Sequence, residues 1–427
     1  MAKLTLQEKL HKRQVKKPNT VLFAILSIVV KIIAKTVNAE YIVKADPSKE
    51  KEPFVFIANH ACRNDYLFTA PFCYPNKLNY VVGYNEFFRF PLGILLRLAQ
   101  AIPKKNFTPD IYAMKQIKSI VKQGGNICFM PEGMNSITGM QQPVALGSAK
   151  LLKSIGQPVY YAHTSGAYLT YPKHILGSRK GKCVSVCDIM FTKEELQTLT
   201  VEEILDKMNR LLAHDDYIWN KTAQVSYKNK NDMASELDTL LYMCPKCGAM
   251  HRMEVSGNRM KCNVCGNEVE LDSKYNLTPV GDSVCPELVT DWVLMERAKA
   301  KEDVKNPDFV LKEIVKVGTL PEDRFLSGSK TSETNGQGML TLDHKGLHFN
   351  GTLFDEPYTF DLTTDQVPTY GMCTDISRFY TFVDGKFIEF FPEDKTVLRW
   401  VHATEEMHRA EGGKWKEIEY RHTPDEL

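Results

Sequence analysis

Two hydrophobic textures divide the chain. From residue 53 to about 190, short apolar runs take turns with helical patterns. Phe54–Ala58, Leu78–Val82, Ile127–Met130 and Pro158–Ala162 read as buried strands, while Met114, Ile117, Ile120 and Val121 mark a helix face closed by Gly124 and Gly125. Strand and helix in alternation predict an α/β unit, a mainly parallel sheet covered by helices, with chemistry at the carboxyl ends of the strands. Residues 193–240 are charged and read as helical. The stretch 286–325 reads as a helical linker around Trp292, Leu294 and Met295, and Ser327–Gly336 as a flexible polar joint. Beyond it the runs shorten into β-patterns at Met339–Leu342, Leu347–Phe349 and Tyr358–Leu362. A hairpin follows, Phe379–Val383 with Lys386–Phe390 turning at Asp384 and Gly385, and a helical pattern starts at Thr404. The implied boundaries are 1–45, 46–235, 236–285, 286–336 and 337–427.

The first of these segments is basic and amphipathic. Lys3, Lys9, Lys12, Arg13, Lys16 and Lys17 precede an apolar stretch from Val21 to Val37. Lys31 and Lys35 interrupt that stretch, which argues against both a signal peptide and a span needing about 20 uninterrupted apolar residues. Ser27, Lys31 and Lys35 fall on one helical stripe and the apolar residues cover the rest. The pattern predicts a helix lying in a membrane interface, lysines toward headgroups, on the cytoplasmic face as a peripheral or monotopic anchor. An amphipathic helix packed on the protein's own core has the same pattern.

Composition narrows the class. A hydrophobic fraction of 43% and a charged fraction of 25% are those of a globular protein, and a net charge of +2 argues against a nucleic-acid binder. Of the 11 cysteines, Cys244, Cys247, Cys262 and Cys265 form two close pairs, each followed by glycine, and others lie inside apolar runs. Scattered thiols suit a reducing compartment, and the two pairs suit a closed, structural zinc ribbon of four thiolates. His251 lies nearby and reads as a surface residue of the ribbon hairpin.

Candidate chemistry clusters after the strands. His60 and Asp65 follow the first, where a carboxylate at a helix start reaches the ring of a loop histidine and leaves its other nitrogen free as a base. Glu132 and Gly133 follow the strand at 127–130, a turn suited to gripping a substrate hydroxyl. Lys104 and Lys105 follow Pro103 and offer charge to a phosphate. Each alone also reads as an ordinary loop histidine, helix-start acid or solvated lysine.

Together, in order and spacing over residues 50–190, they resemble the glycerolipid acyltransferase family, which includes enzymes that acylate lysophosphatidic acid. Its Asn-His-x4-Asp block is matched by Asn59, His60 and Asp65. Its second block is echoed loosely from Asn85 through Pro91 and Gly93 to Lys105, its Phe-Pro-Glu-Gly block by Met130–Ser136, and its fourth by Gln157–Tyr161. The resemblance implies that His60 deprotonates an acceptor hydroxyl with Asp65 orienting it. The hydroxyl then attacks an acyl thioester of coenzyme A or acyl carrier protein, and no metal or redox cofactor takes part. Lys105 would occupy the family's basic position, with Glu132 and Gly133 shaping the acceptor site. The family's third-block arginine is Asn135 here and its threonine Met134, so catalysis is retained but the charged grip on phosphate is not. The implied acceptor is a lysophospholipid-like lipid at a membrane; acylation of an amine uses the same pair. The order of elements in the tail resembles a pleckstrin-homology barrel, suited to docking lipid or protein. From a different class comes a catalytically degenerate lipid-binding scaffold that recruits partners through the ribbon and the tail.

Overall fold

The computed structural model describes residues 4–415 and 421. Seven strands build the first sheet: β1 (Ala39–Val43), β2 (Val55–Ala58), β3 (Leu78–Gly83), β4 (Ile102–Lys104), β5 (Asn126–Phe129), β6 (Val159–Ser165) and β7 (Cys183–Phe191). Their order is β1-β7-β6-β2-β5-β3-β4, and every neighbouring pair is parallel except β6 with β7. Every residue of β2, β5 and β6 is buried. Val55 and Ile57 pack against Ile117, Ile120 and Leu152 on one face, while Phe56 and Ala58 meet Phe72 and Cys73 on the other. Such two-sided burial makes the strands read as continuous apolar runs.

Two helices precede this sheet, α1 (Leu6–Lys12) and α2 (Thr20–Thr36), and α3 (Tyr66–Cys73) follows β2. Arg13 donates to the carbonyls of Arg97 and Ala101, and Lys17 to that of Gln123, so part of the basic cluster fastens the amino-terminal segment to the α/β unit. Lys3 lies outside the described residues.

The cysteine region is an antiparallel four-stranded unit of β8 (Met253–Ser256), β9 (Arg259–Cys262), β10 (Glu268–Leu271) and β11 (Leu277–Pro279). The carboxyl-terminal sheet follows: β12 (Leu311–Thr319), β13 (Glu333–Asp343), β14 (Gly346–Leu353), β15 (Glu356–Leu362), β16 (Gly371–Met372), β17 (Phe379–Val383) and β18 (Lys386–Phe391). Its order is β15-β14-β13-β12-β18-β17-β16, antiparallel throughout, and the helix Val397–Ala410 packs on it.

The structure redraws three stretches. The strand β12 lies inside the stretch read as a linker, because Leu311, Val315 and Val317 alternate inward while Ile314 points outward and blurs the pattern. The polar joint therefore connects two strands of one domain. The α-helices of 193–240 end at Ala223, with only a short 3-10 turn at Leu237–Thr239 beyond them, and the last helix starts at Val397, where Val397, Leu398, Trp400 and Val401 are buried. One apolar cluster runs from Met134 and Tyr168 of the α/β unit through Met260 of the ribbon to Trp400. The units share a core.

Candidate active site

The loop between β2 and α3 is held at both ends. Asn59 bridges to β6 by donating to the carbonyl of Thr164 at 2.9 Å and accepting from its amide at 2.8 Å. Asp65 stands at the N-cap of α3 but does not cap it. Its Oδ2 meets Nδ1 of His60 at 2.7 Å, and its Oδ1 accepts from the amide of Cys62 at 3.0 Å. Asp65 is buried, while the His60 side chain retains 24% of its exposure. Nδ1 is thereby committed, and Nε2 is the nitrogen available to chemistry.

The loop after β5 closes the other side. Glu132 is wholly buried; its Oε1 accepts from the His60 amide at 2.7 Å and its Oε2 from the Gln142 amide at 2.8 Å. Burial raises its pKa to about 8, against the lowering effect of those two donors. Both oxygens are thus engaged by backbone, so Glu132 braces His60 and does not face an acceptor hydroxyl. Gly133 has φ +79°, and a Cβ there would lie 3.4 Å from the Phe107 ring. That contact is an ordinary one, so it is the left-handed backbone, and not the space, that calls for glycine here. The Ser136 amide donates to the His60 carbonyl at 2.7 Å, which joins the two loops a second time.

The structure sets the two lysines differently. Lys104 donates to the carbonyls of Lys105 and Thr108, and burial lowers its pKa. Lys105 donates to the Gly385 carbonyl at 2.6 Å, over the rings of Tyr84 and Phe382, while its own amide donates to Asp110. A residue read as facing substrate therefore also clasps the carboxyl-terminal hairpin.

Motif reading did not mark Lys173. Only 2% exposed, it donates to Oδ1 of Asn135 at 2.6 Å and to the Met372 carbonyl at 3.1 Å, and burial draws its pKa down to about 8. Arg63 lies inside the histidine block, between His60 and Asp65. Its guanidinium donates to the carbonyls of Ile175, Leu176 and Gly177. Neither contact leaves a signal in local sequence, since the partners lie far along the chain.

At the ribbon, the four sulfur atoms of Cys244, Cys247, Cys262 and Cys265 lie within 4.8 Å of one another. They can hold a metal ion. His251 stacks on Tyr242 instead of joining them, with ring centroids 5.3 Å apart.

An α/β sheet with a His–Asp loop and a Glu–Gly turn at its strand ends defines the class, and residues 36–162 match the family model described as Acyltransferase. That part of the chain is similar to acyltransferase domains. Among solved structures, the 1-acyl-sn-glycerophosphate (LPA) acyltransferase PlsC from Thermotoga maritima is similar at 15% identity and a TM-score of 0.39, over 47% of this chain and 79% of that one. No curated protein matches the chain.

Proposed function

We propose that this protein moves a fatty acyl group from a thioester carrier, acyl-CoA or acyl carrier protein, to the hydroxyl of a lysophospholipid-like acceptor at a membrane surface. The observation that carries this reading is the His60–Asp65 pair, with one ring nitrogen held at 2.7 Å and the ring still partly exposed. Nε2 takes the hydroxyl proton as the oxygen attacks the thioester carbonyl. The thiolate leaves and recovers that proton, and an ester forms.

Helix α2 supports the membrane setting. Val21, Ile25, Ile28, Val29 and Ile32 form an exposed apolar ridge, while Val30 and Ile33 pack beside Ala61 and Cys62 of the histidine loop. A helix seated this way puts the loop at the lipid surface. Ser27 turns inward, donating to the Phe23 carbonyl, and Lys31 lies over the Tyr74 ring at 5.2 Å. Among the described residues no helix is long and apolar enough to cross a membrane.

Zinc is the proposed metal. Zn–S bonds of about 2.3 Å in a tetrahedron place sulfur atoms about 3.8 Å apart. The separations are 3.7 Å for Cys244–Cys265 and 3.8 Å for Cys247–Cys262. A closed set of four thiolates leaves no open position, so the ion's role is structural.

The test is thiol release from a long-chain acyl-CoA, with mass spectrometry of the lipid product, for the wild type and His60→Ala. The expected outcome is an acylated lipid from the wild type and a rate lower by roughly a thousandfold in the variant, the scale of a lost general base with its positioning. Equal, background rates from two folded proteins would leave a lipid-binding scaffold as the better reading.

A further inference from the structure

Buried or clustered cations in this chain find either neutral oxygens or carboxylates: Arg179 bonds the Tyr275 hydroxyl and the carbonyls of Asp232 and Met233. Arg297 pairs with Glu405 and Glu406, and Lys395 with Glu236 and Asp238. Around the two active-site loops the neutral kind gathers. Arg63 and Lys104 donate to backbone carbonyls, Lys105 to the Gly385 carbonyl and Lys173 to an amide oxygen and a carbonyl. Among the described residues, none of these four cationic side chains has a carboxylate within ion-pairing distance. A neutral acceptor satisfies a donor's hydrogen bond but leaves its charge uncancelled, and an uncancelled buried charge is costly until an anion arrives.

Lys173 is the most deeply buried of the four. Two of its three ammonium hydrogens are engaged, one by Asn135 Oδ1. That bond takes up the oxygen of the Asn135 amide and polarises it, so that its NH2 group is the donor the side chain can offer to a ligand. Asn135 itself is only partly buried, and the next residue, Ser136, is bonded to the His60 carbonyl. The position thus offers an oriented donor backed by a cation beside the catalytic loop.

We infer that Lys173 is a positioning residue for the acceptor's anionic head, holding and polarising Asn135 so that the pair receives a phosphate monoester beside His60. The inference rests on the acyl-transfer reading and refines it. Charge for a phosphorylated acceptor comes from behind Asn135, from a segment far along the chain, and replaces the arginine that the loop lacks.

Asn135→Asp is the decisive variant. It is nearly isosteric and gives Lys173 a carboxylate partner, so folding is retained while the charge is cancelled. Turnover is compared on a matched pair of acceptors in vesicles, 1-oleoylglycerol 3-phosphate and 1-oleoylglycerol. The expected result is a fall of about a hundredfold in kcat/KM for the phosphorylated acceptor, mainly through KM, with less than about a threefold change for the other. Lys173→Met should reduce the same selectivity about tenfold, and Lys173→Arg should restore most of it. A merely structural role would lower both acceptors together without rescue, and that outcome, or unchanged selectivity in Asn135→Asp, overturns the inference. Binding of 1-oleoylglycerol 3-phosphate to the full-length His60→Ala protein, measured by calorimetry, separates this from the catalytic reading. Affinity that Asn135→Asp abolishes supports the phosphate site even if the wild type yields no product. Affinity that Asn135→Asp leaves intact overturns it even if transfer occurs.

Discussion

The two loops that meet at the carboxyl end of the sheet are built on different principles. The loop after β2 is a local device: Asp65 reaches back five residues to His60 and three to Cys62, and its carboxylate has both oxygens engaged within that span. The loop after β5 is wired to distant chain. Glu132 bonds the His60 and Gln142 amides, and Asn135 meets Lys173, which in turn reaches Met372 of the carboxyl-terminal domain. A reacting pair needs only short-range geometry, whereas a wall that recognises an acceptor can be assembled from whatever the fold brings alongside. The first kind of site can be read as a motif. The second leaves no local motif to read.

Asp65→Asn strikes the local device hardest. The Asn oxygen keeps the Cys62 amide, and its NH2 group then donates to Nδ1, which forces the proton onto Nε2 and removes the base. The expected loss in kcat is about a thousandfold with little change in melting temperature, and full activity in this variant would detach Asp65 from catalysis. Glu132→Gln probes the seam between the loops. One of the two backbone amides then opposes an NH2 group, a cost of about 1–3 kcal/mol, and the looser His60 backbone should cost about ten- to a hundredfold in rate. The linked stability effect has a definite sign. The folded state holds Glu132's proton up to about 8, whereas an unfolded glutamate releases it near 4.5. Its contribution is therefore full below that lower value and is lost as pH rises through about 8. Thermal melts from pH 5 to 8 should show wild-type stability falling more steeply than that of Glu132→Gln; parallel curves would mean that Glu132 is ionised throughout.

How much of this was legible follows the same division. The strands of the first sheet stand out because residues buried on both faces form unbroken apolar runs, and the cysteine pairs because their spacing is local. His60, Asp65 and Gly133 could be marked because their constraints lie within a few residues. Glu132 could be marked but not understood, since its two donors come from separate loops. Lys105 reads as a free cation until the Asp384–Gly385 hairpin is laid against it. Lys173 has no local pattern at all. Strand β12 was hidden by one outward isoleucine, and that single exposed position moved the start of a domain.

Helix α2 extends the comparison outward, because it packs on the first loop, whereas the second loop is tied to the carboxyl-terminal domain. If the first loop is the one presented to lipid, the exposed ridge of α2 should matter for membrane-embedded acceptors and for nothing else. Ile28 retains 60% of its exposure, so Ile28→Gln removes lipid contact without opening a cavity. Partial burial of such a side chain is worth about 1 kcal/mol, or about a fivefold change in partition onto vesicles. Turnover of an acceptor held in those vesicles should fall by a similar factor, while turnover of a short-chain acceptor below its micellar concentration should stay the same. A fall on both would place the effect in the loop beneath the helix, through Ala61 and Cys62, and no fall on either would take α2 out of the membrane contact and leave the seating of the first loop to another surface.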